Sequence, residues 1–178
     1  MFHLSAKQAA HLFLTVVLTG VFLRIFVIDS FFVRGNSMSP LIQPGDYIFV
    51  NKLSYSFGKE PARNDIVVAK FREEESHVIK RVVGLPRERV EITPEAIHIK
   101  KDRDDEGKTI QEDSYLALAQ FPLNGTTTIV LDPREYFVLG DNRFVSTDSR
   151  ALGPIDEWEI AGKVSLAFRS TSFLFFQP

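Results

Sequence analysis

Three stretches of this chain hold side chains whose types and spacing could do chemistry. In Arg34-Gly35-Asn36-Ser37-Met38-Ser39-Pro40, a serine stands in a turn fixed by Gly35 and Pro40. Such a turn either presents a hydroxyl at the rim of a sheet as a nucleophile or lets the serine bond its own backbone. In Ser76-His77-Val78-Ile79-Lys80-Arg81-Val82-Val83-Gly84, strand alternation puts Val78, Lys80 and Val82 on one face. An amine between two β-branched neighbours is either led past them to water or kept dry. Kept dry, its charged form is disfavoured, and an amine brought down from its ordinary ~10.4 can take a proton from an alcohol near neutral pH. The third stretch, residues 140–150, reads Gly140-Asp141-Asn142-Arg143-Phe144-Val145-Ser146-Thr147-Asp148-Ser149-Arg150. It is dense in small polar and paired charged groups, as a loop held by its own hydrogen bonds would be. Gly-Asp-Asn is also a good turn, and Asp148 with Arg150 could equally be a surface pair worth under ~1 kcal/mol.

Other chemistries are poorly supplied. The chain has no cysteine, which removes thiol nucleophiles, redox pairs, thiolate metal sites and disulfides together. His77 lies on the opposite strand face from Lys80, His98 sits in a charged hairpin, and His3 and His11 fall before or within an apolar segment. No two histidines stand at ligand spacing, so neither a metal site nor a cofactor is expected. With 21 Lys+Arg against 23 Asp+Glu, the net charge of −2 argues against a nucleic-acid partner.

Two kinds of element must position these groups. Residues 9–28 are apolar apart from His11, Thr15, Thr19, Gly20 and Arg24, which matches the ~20 residues a helix needs to cross a bilayer. Arg24, close to the end, can snorkel to the interface. Residues 25–32 are bulky and offer no small-x-small cleavage site, so the segment reads as an anchor rather than a removed leader. Lys7 and the amino terminus are the only cations before it, which places the N-terminus in the cytoplasm. Beyond Asp29 the period changes to short β-rich runs at 31–33, 47–50, 66–68, 78–83, 97–99, 126–130 and 136–139, separated by turns such as Pro44-Gly45-Asp46. Residues 100–108 read as a solvated loop or hairpin tip. The expected organisation is a cytoplasmic N-terminus (1–8), a transmembrane anchor (9–28) and an extracytoplasmic all-β domain (29–178), an antiparallel sandwich or partly closed barrel large enough to bury its own core.

Taken together and in order, these pieces resemble the bacterial type I signal peptidases, membrane-anchored serine proteases with a Ser/Lys dyad. The resemblance runs through the anchor, Ser37-Met38-Ser39-Pro40, Gly45-Asp46, Arg63-Asn64-Asp65-Ile66-Val67-Val68, Lys80-Arg81-Val82-Val83-Gly84-Leu85-Pro86 and Gly140-Asp141-Asn142-Arg143 with Ser146, Asp148, Ser149 and Arg150. The reticulum relatives of eukaryotes have histidine where this chain has Lys80. The resemblance implies the mainly antiparallel β fold of that family, shared with self-cleaving Ser/Lys repressors. It implies Ser37 as nucleophile, Lys80 as general base, Ser146 as the hydroxyl that orients the lysine, Asp148 and Arg150 as a bracing ion pair, and Asp141 in the same support. It also implies removal of N-terminal signal peptides from exported preproteins after a small-x-small pattern, at the outer face of the bacterial cytoplasmic membrane. The peptide would bind as an added strand, with alternate side chains entering shallow pockets lined by Phe31, Val33, Met38, Ile42, Ile48, Val68, Val78 and Ile79. Partners would be those signal peptides, the lipid bilayer and, further out, the secretion machinery.

Departures from the family pattern fall beside the dyad rather than on it. Its Pro-Thr is Pro40-Leu41, its Arg-Gly-Asp is Arg63-Asn64-Asp65, its Gly-Leu-Pro-Gly-Asp is Gly84-Leu85-Pro86-Arg87-Glu88, and Phe144-Val145 replace a polar pair. Gly35 stands where some members carry a hydroxyl completing the oxyanion hole, leaving the Ser37 N–H as the firm donor; one such donor is worth ~3–4 kcal/mol of barrier. Two other readings compete: a self-cleaving repressor, which would want a helix-turn-helix domain in place of the span, and a non-catalytic anchored β module, which would not need Lys80 buried.

Overall fold

The computed structural model describes residues 5–72, 74, 76–93, 96–101, 108–109, 127–169, 172 and 174–178. Its first element, α1 (Ala6–Phe26), opens on a capping box in which the Ser5 hydroxyl accepts from the Gln8 N–H and the Gln8 side chain accepts from the Ser5 N–H. None of its residues is buried, and it is long and apolar enough to cross a membrane. The helix occupies 6–26 rather than the expected 9–28 because the chain turns into a strand early. Ile28 already pairs with Asn51, and Lys52 closes the helix end, its N–H donating to the Val27 carbonyl at 2.9 Å and its Nζ to the Ile25 carbonyl at 3.0 Å.

After the helix come β1 (Ile28–Phe32), β2 (Tyr47–Asn51), β3 (Ile66–Ala69), β4 (Val78–Gly84), β5 (Arg89–Ile92), β6 (Ile97–Lys100), β7 (Lys108–Thr109), β8 (Thr127–Val130) and β9 (Glu135–Leu139). A single turn, α2 (Ser149–Leu152), then leads to β10 (Ile155–Asp156), β11 (Ile160–Arg169) and β12 (Leu174–Phe176). The larger sheet runs β1-β2-β11-β3-β4-β9-β10, with β12 added to β11, and a second sheet runs β7-β6-β5-β8. Every pairing among the described residues is antiparallel.

The seven expected strands are all present in part, but β5, β7, β10, β11 and β12 lie outside the expected runs. The miss matters because β11, at ten residues, is the longest strand and joins β2 to β3. Its period is masked by Gly162, Lys163 and Ser165 and by two register shifts. Gly162 marks a close approach: a Cβ there would lie 2.6 Å from the Asn51 carbonyl oxygen. The tail forms β12, although Leu174 and Phe175 stay exposed. Residues 102–107 of the expected charged loop lie outside the described residues.

Apolar side chains pack on both faces of the larger sheet. Val33, Met38, Ile42, Ile48, Val50, Ile66, Val68 and Val164 form one cluster. Val67, Ala69, Val82, Tyr136 and Val138 form another, and a third centred on Val83, Val90, Ile99 and Phe137 joins the two sheets. Two strand edges stay open among the described residues. β1 pairs only with β2, and residues 78–80 pair only with β3 because β9 stops at Leu139, opposite Arg81.

Candidate active site

The two open edges flank a cleft of about 400 Å³. At its inner end the chain leaves β1, passes Val33, whose N–H donates to the Asp46 carbonyl at 2.9 Å, and enters the tight turn that carries Ser37. Met38 and Ile42 are buried directly behind that turn and fix it to the core. Lys80, on β4 and paired with Val67 of β3, is only 2% exposed. Its Nζ lies 3.1 Å from Ser37 Oγ, donating to it in the ammonium form; in the neutral form the same contact runs the other way, from the hydroxyl to the nitrogen. Burial pushes the Lys80 amine below its ordinary range, with the Asp148 carboxylate the largest pull back. Ser39, two residues along, is engaged elsewhere: its hydroxyl donates to Asn36 Oδ1 at 2.5 Å.

The loop after β9 closes over this pair. The Asn142 N–H donates to the Ser37 carbonyl at 2.9 Å, tying this loop to the turn that carries Ser37. Asp148, fully buried, accepts from the Gly140 N–H at 3.0 Å through one oxygen and from Arg150 Nε at 2.8 Å through the other. Arg150 also donates to the Arg143 and Ser146 carbonyls at 2.8 and 3.3 Å. The Asp148–Arg150 pair is therefore a buried brace across the loop, not a solvated surface pair. Asp141 accepts two bonds from Arg81, Nε at 2.8 Å and Nη2 at 2.7 Å, both partners buried. Ser146 Oγ is buried without a hydrogen-bond partner among the described residues.

Of the eight side chains expected to line the pockets, Phe31, Val33, Met38, Val68, Val78 and Ile79 border the cleft. Ile42 and Ile48 do not: both are fully buried in the cluster beneath it, because the alternation of β2 turns Ile48 inward and the turn after Ser37 folds Ile42 under Met38. His77, left without a role by its strand face, reaches the cleft mouth, its ring 5.6 Å from that of Phe31. Three residues that the motifs contain without an assigned role also build the site: Arg81 holds Asp141, Arg143 is 2% exposed with Nε on the Gly140 carbonyl at 3.0 Å, and Gly140 admits no side chain at all. Their sequence signals were the motif stretches that contain them and, for Gly140 and Arg143, the density of charge beside glycine in residues 140–150.

Two departures from the family pattern acquire a reason. Asn64 and Arg87, standing where the family has glycine, are both left-handed, at φ 71° and 66°. Each is embedded in bonds that hold the turn: the Asn64 carbonyl accepts from Arg81 Nη1 at 3.0 Å, and Glu88, next to Arg87, takes both carboxylate bonds from Arg63 Nη2 at 2.6 and 2.7 Å.

The model of the family described as signal peptidase, peptidase S26, matches residues 6–169. The chain belongs to that family. Signal peptidase IB of Staphylococcus aureus is 33% identical over 152 residues, covering 80% of this chain and 78% of its own. Signal peptidase I of Bacillus caldolyticus is 35% identical over 158 residues, 82% of each chain. A solved signal peptidase I from Enterococcus faecalis V583 is 28% identical, covers 60% of this chain and 97% of its own, and superposes with a TM-score of 0.48. Family membership makes the chain a serine peptidase, and with the exposed apolar helix it makes the protein membrane-anchored.

Proposed function

We propose that this chain removes N-terminal signal peptides from preproteins, with Ser37 as nucleophile and Lys80 as general base. The observation that carries the reading is the 3.1 Å contact between the Ser37 hydroxyl and an amine only 2% exposed. Burial favours the neutral form of the amine, and a neutral amine within hydrogen-bond reach of an alcohol is what a Ser/Lys mechanism needs. Ser37 Oγ attacks the scissile carbonyl as its proton passes to Lys80 Nζ. The tetrahedral oxyanion meets the Ser37 N–H, which no backbone carbonyl among the described residues accepts. Collapse breaks the C–N bond, and Nζ returns the proton to the leaving amine. Water then attacks the acyl-enzyme ester, again losing its proton to Nζ, and the released serine regains it. Ser146 steers the amine toward Oγ, while Asp141, Asp148 and Arg150 hold the loop that carries Ser146.

Substrate enters as an extended strand between β1 and residues 78–80. The walls of Val33, Met38 and Ile79 leave room for small side chains near the scissile bond, since bulk there must overpack a buried surface. The helix α1 spans the bacterial cytoplasmic membrane with the N-terminus inside and the β domain on the outer face, where preproteins arrive with their apolar segment still in the bilayer.

The test is cleavage of a preprotein bearing an Ala-x-Ala site by the full chain in detergent. Ser37→Ala and Lys80→Met each abolish turnover, and Ser39→Ala keeps it. Cleavage retained by Lys80→Met at the wild-type rate removes the dyad assignment.

A further inference from the structure

The loop after β9 is braced by its own hydrogen bonds, yet it carries two neighbouring apolar side chains outward. Phe144 is 60% exposed and Val145 57%, although Arg143 before them and Asp148 after them are buried. The turn that holds them is tight. The Asn142 carbonyl accepts from the Val145 and Ser146 N–H groups at 3.3 and 3.0 Å, and Arg150 holds the carbonyls on both flanks, those of Arg143 and Ser146. Asn142 in turn bonds the Ser37 carbonyl. The pair therefore stands at a fixed place, two and three residues from the contact with the Ser37 turn, and recovers little burial from the domain itself. It also stands where the family pattern is polar, so the feature belongs to this chain.

The sheet topology says what passes over the pair. Within the order β3-β4-β9, β4 offers one edge to β3 and the other to β9. β9 covers that second edge along 81–84 and stops at Leu139, so residues 78–80 present the same edge further along. A guest strand on 78–80 lies in line with β9, and residues 140–146 leave β9 at the place where the two would meet. β1 and β4 run in the same direction across the cleft, because three strands separate them and each pairing reverses the chain. Ser37 and Lys80 thus mark one end of the cleft and residues 76–77 the other. Residues before the scissile bond fill the cleft toward 76–77. Those after it emerge at the Ser37 end, where the loop bars the straight path and turns them over its apex.

We propose that Phe144 and Val145 form a subsite for the first residues of the preprotein beyond the scissile bond, with a preference for an apolar or aromatic side chain there. The inference rests on the reading of the chain as a signal peptidase with Ser37 as nucleophile. The occupant is the leaving polypeptide rather than lipid because the subsite continues the cleft past Ser37, and because α1 joins β1 at Ile28, which sets the length of β1 between the helix and the Ser37 end. This segment departs with the leaving amine, so the contact acts up to formation of the acyl-enzyme and is gone before its hydrolysis. Its effect therefore belongs to kcat/KM.

The test gives the full chain in detergent a set of matched preproteins with one Ala-x-Ala site, carrying Ser at the three positions after the cleaved bond or Phe at one of them in turn. The wild type is expected to show kcat/KM about 2- to 10-fold higher for Phe in at least one position, the range an aromatic contact supplies. That ratio falls to near one when Phe144→Asn and Val145→Asn are combined, and it persists in Phe144→Tyr and in Val130→Asn, an exposed control on the second sheet. If the double variant does not fold, Phe144→Asn alone carries the same comparison. Equal values for all substrates in the wild type, or a ratio unchanged in the Asn variant, overturn this inference, and an inactive Ser37→Ala then leaves the peptidase reading standing. Cleavage retained by Ser37→Ala, or none by the wild type, overturns that reading and the inference with it. An Asn variant that slows every substrate alike, and only in phosphatidylcholine/phosphatidylglycerol vesicles, assigns the pair to lipid and also overturns the inference.

Discussion

Adding one methyl group at Gly140 separates a site held by close contact from one held loosely. A Cβ on Gly140 would lie 2.2 Å from Ser146 Oγ and 2.5 Å from both Ser146 Cβ and the Ser37 carbonyl oxygen. The hydroxyl can rotate away, but the other two atoms belong to stiff parts of the chain, each about 1 Å inside ordinary contact. The Ser37 carbonyl is already fixed by the Asn142 N–H, and the Gly140 N–H by Asp148, so neither side yields without giving up a bond. Gly140→Ala therefore displaces either the Ser37 turn or the Ser146 loop by something near that amount. A displacement of ~1 Å costs about a hundredfold in rate, and overpacking a buried site costs about 1–3 kcal/mol of stability. The assay is steady-state cleavage of an Ala-x-Ala preprotein in detergent, with kcat and KM separated, beside a thermal melt. kcat should fall about a hundredfold with little change in KM, and Tm should fall by roughly 2–10 °C. Gly20→Ala, where no atom lies within 4 Å, controls for loss of a glycine as such. Wild-type kcat and Tm in Gly140→Ala would refute the close-packed geometry.

Lys80 gives a pH prediction with a definite sign. Burial depresses its folded pKa, and the unfolded chain protonates the amine below ~10.4, so between those two values the unfolded state binds the extra proton and stability falls as pH drops. Lys80→Met should raise Tm near neutral pH, with a gain that fades as pH approaches 10; a pH-independent difference by calorimetry contradicts the dry amine. Arg87→Gly relieves the left-handed backbone at φ 66° and should raise the denaturation midpoint by the equivalent of about 0.5–1 kcal/mol after the added unfolded-state entropy is counted, with m unchanged. Arg81→Met strands the buried Asp141 carboxylate and should cost about 3–5 kcal/mol in urea titrations, whereas Arg81→Met with Asp141→Leu should recover most of it.

Much of this architecture was legible in the chain because its signals are local. The uninterrupted apolar run of α1, the alternation around Lys80 and the turn at Pro44-Gly45-Asp46 each act within a few residues. What escaped depends on partners far away in sequence. β11 is a strand because β2 and β3 lie on either side of it, and its own residues show no clean period. Ile42 and Ile48 have the chemistry of pocket walls and the coordinates of core, a distinction set by which way a turn folds beneath Met38. Asp148 and Arg150 read as a possible surface pair because nothing local reveals that Gly140 and Arg143 close over them. Gly140 itself was visible only as a turn former, although its lack of a side chain is what lets three segments meet.

The facing pair of unsatisfied strand margins, β1 and residues 78–80, has a consequence for how many clients one enzyme can serve. Amide and carbonyl groups are the same in every polypeptide, so a guest that docks by completing the hydrogen-bond ladder is gripped without regard to most of its side chains. Discrimination is then left to the few positions whose Cβ atoms point into the walls. A single scaffold of this design can accept leader sequences that share almost nothing beyond the size of two residues.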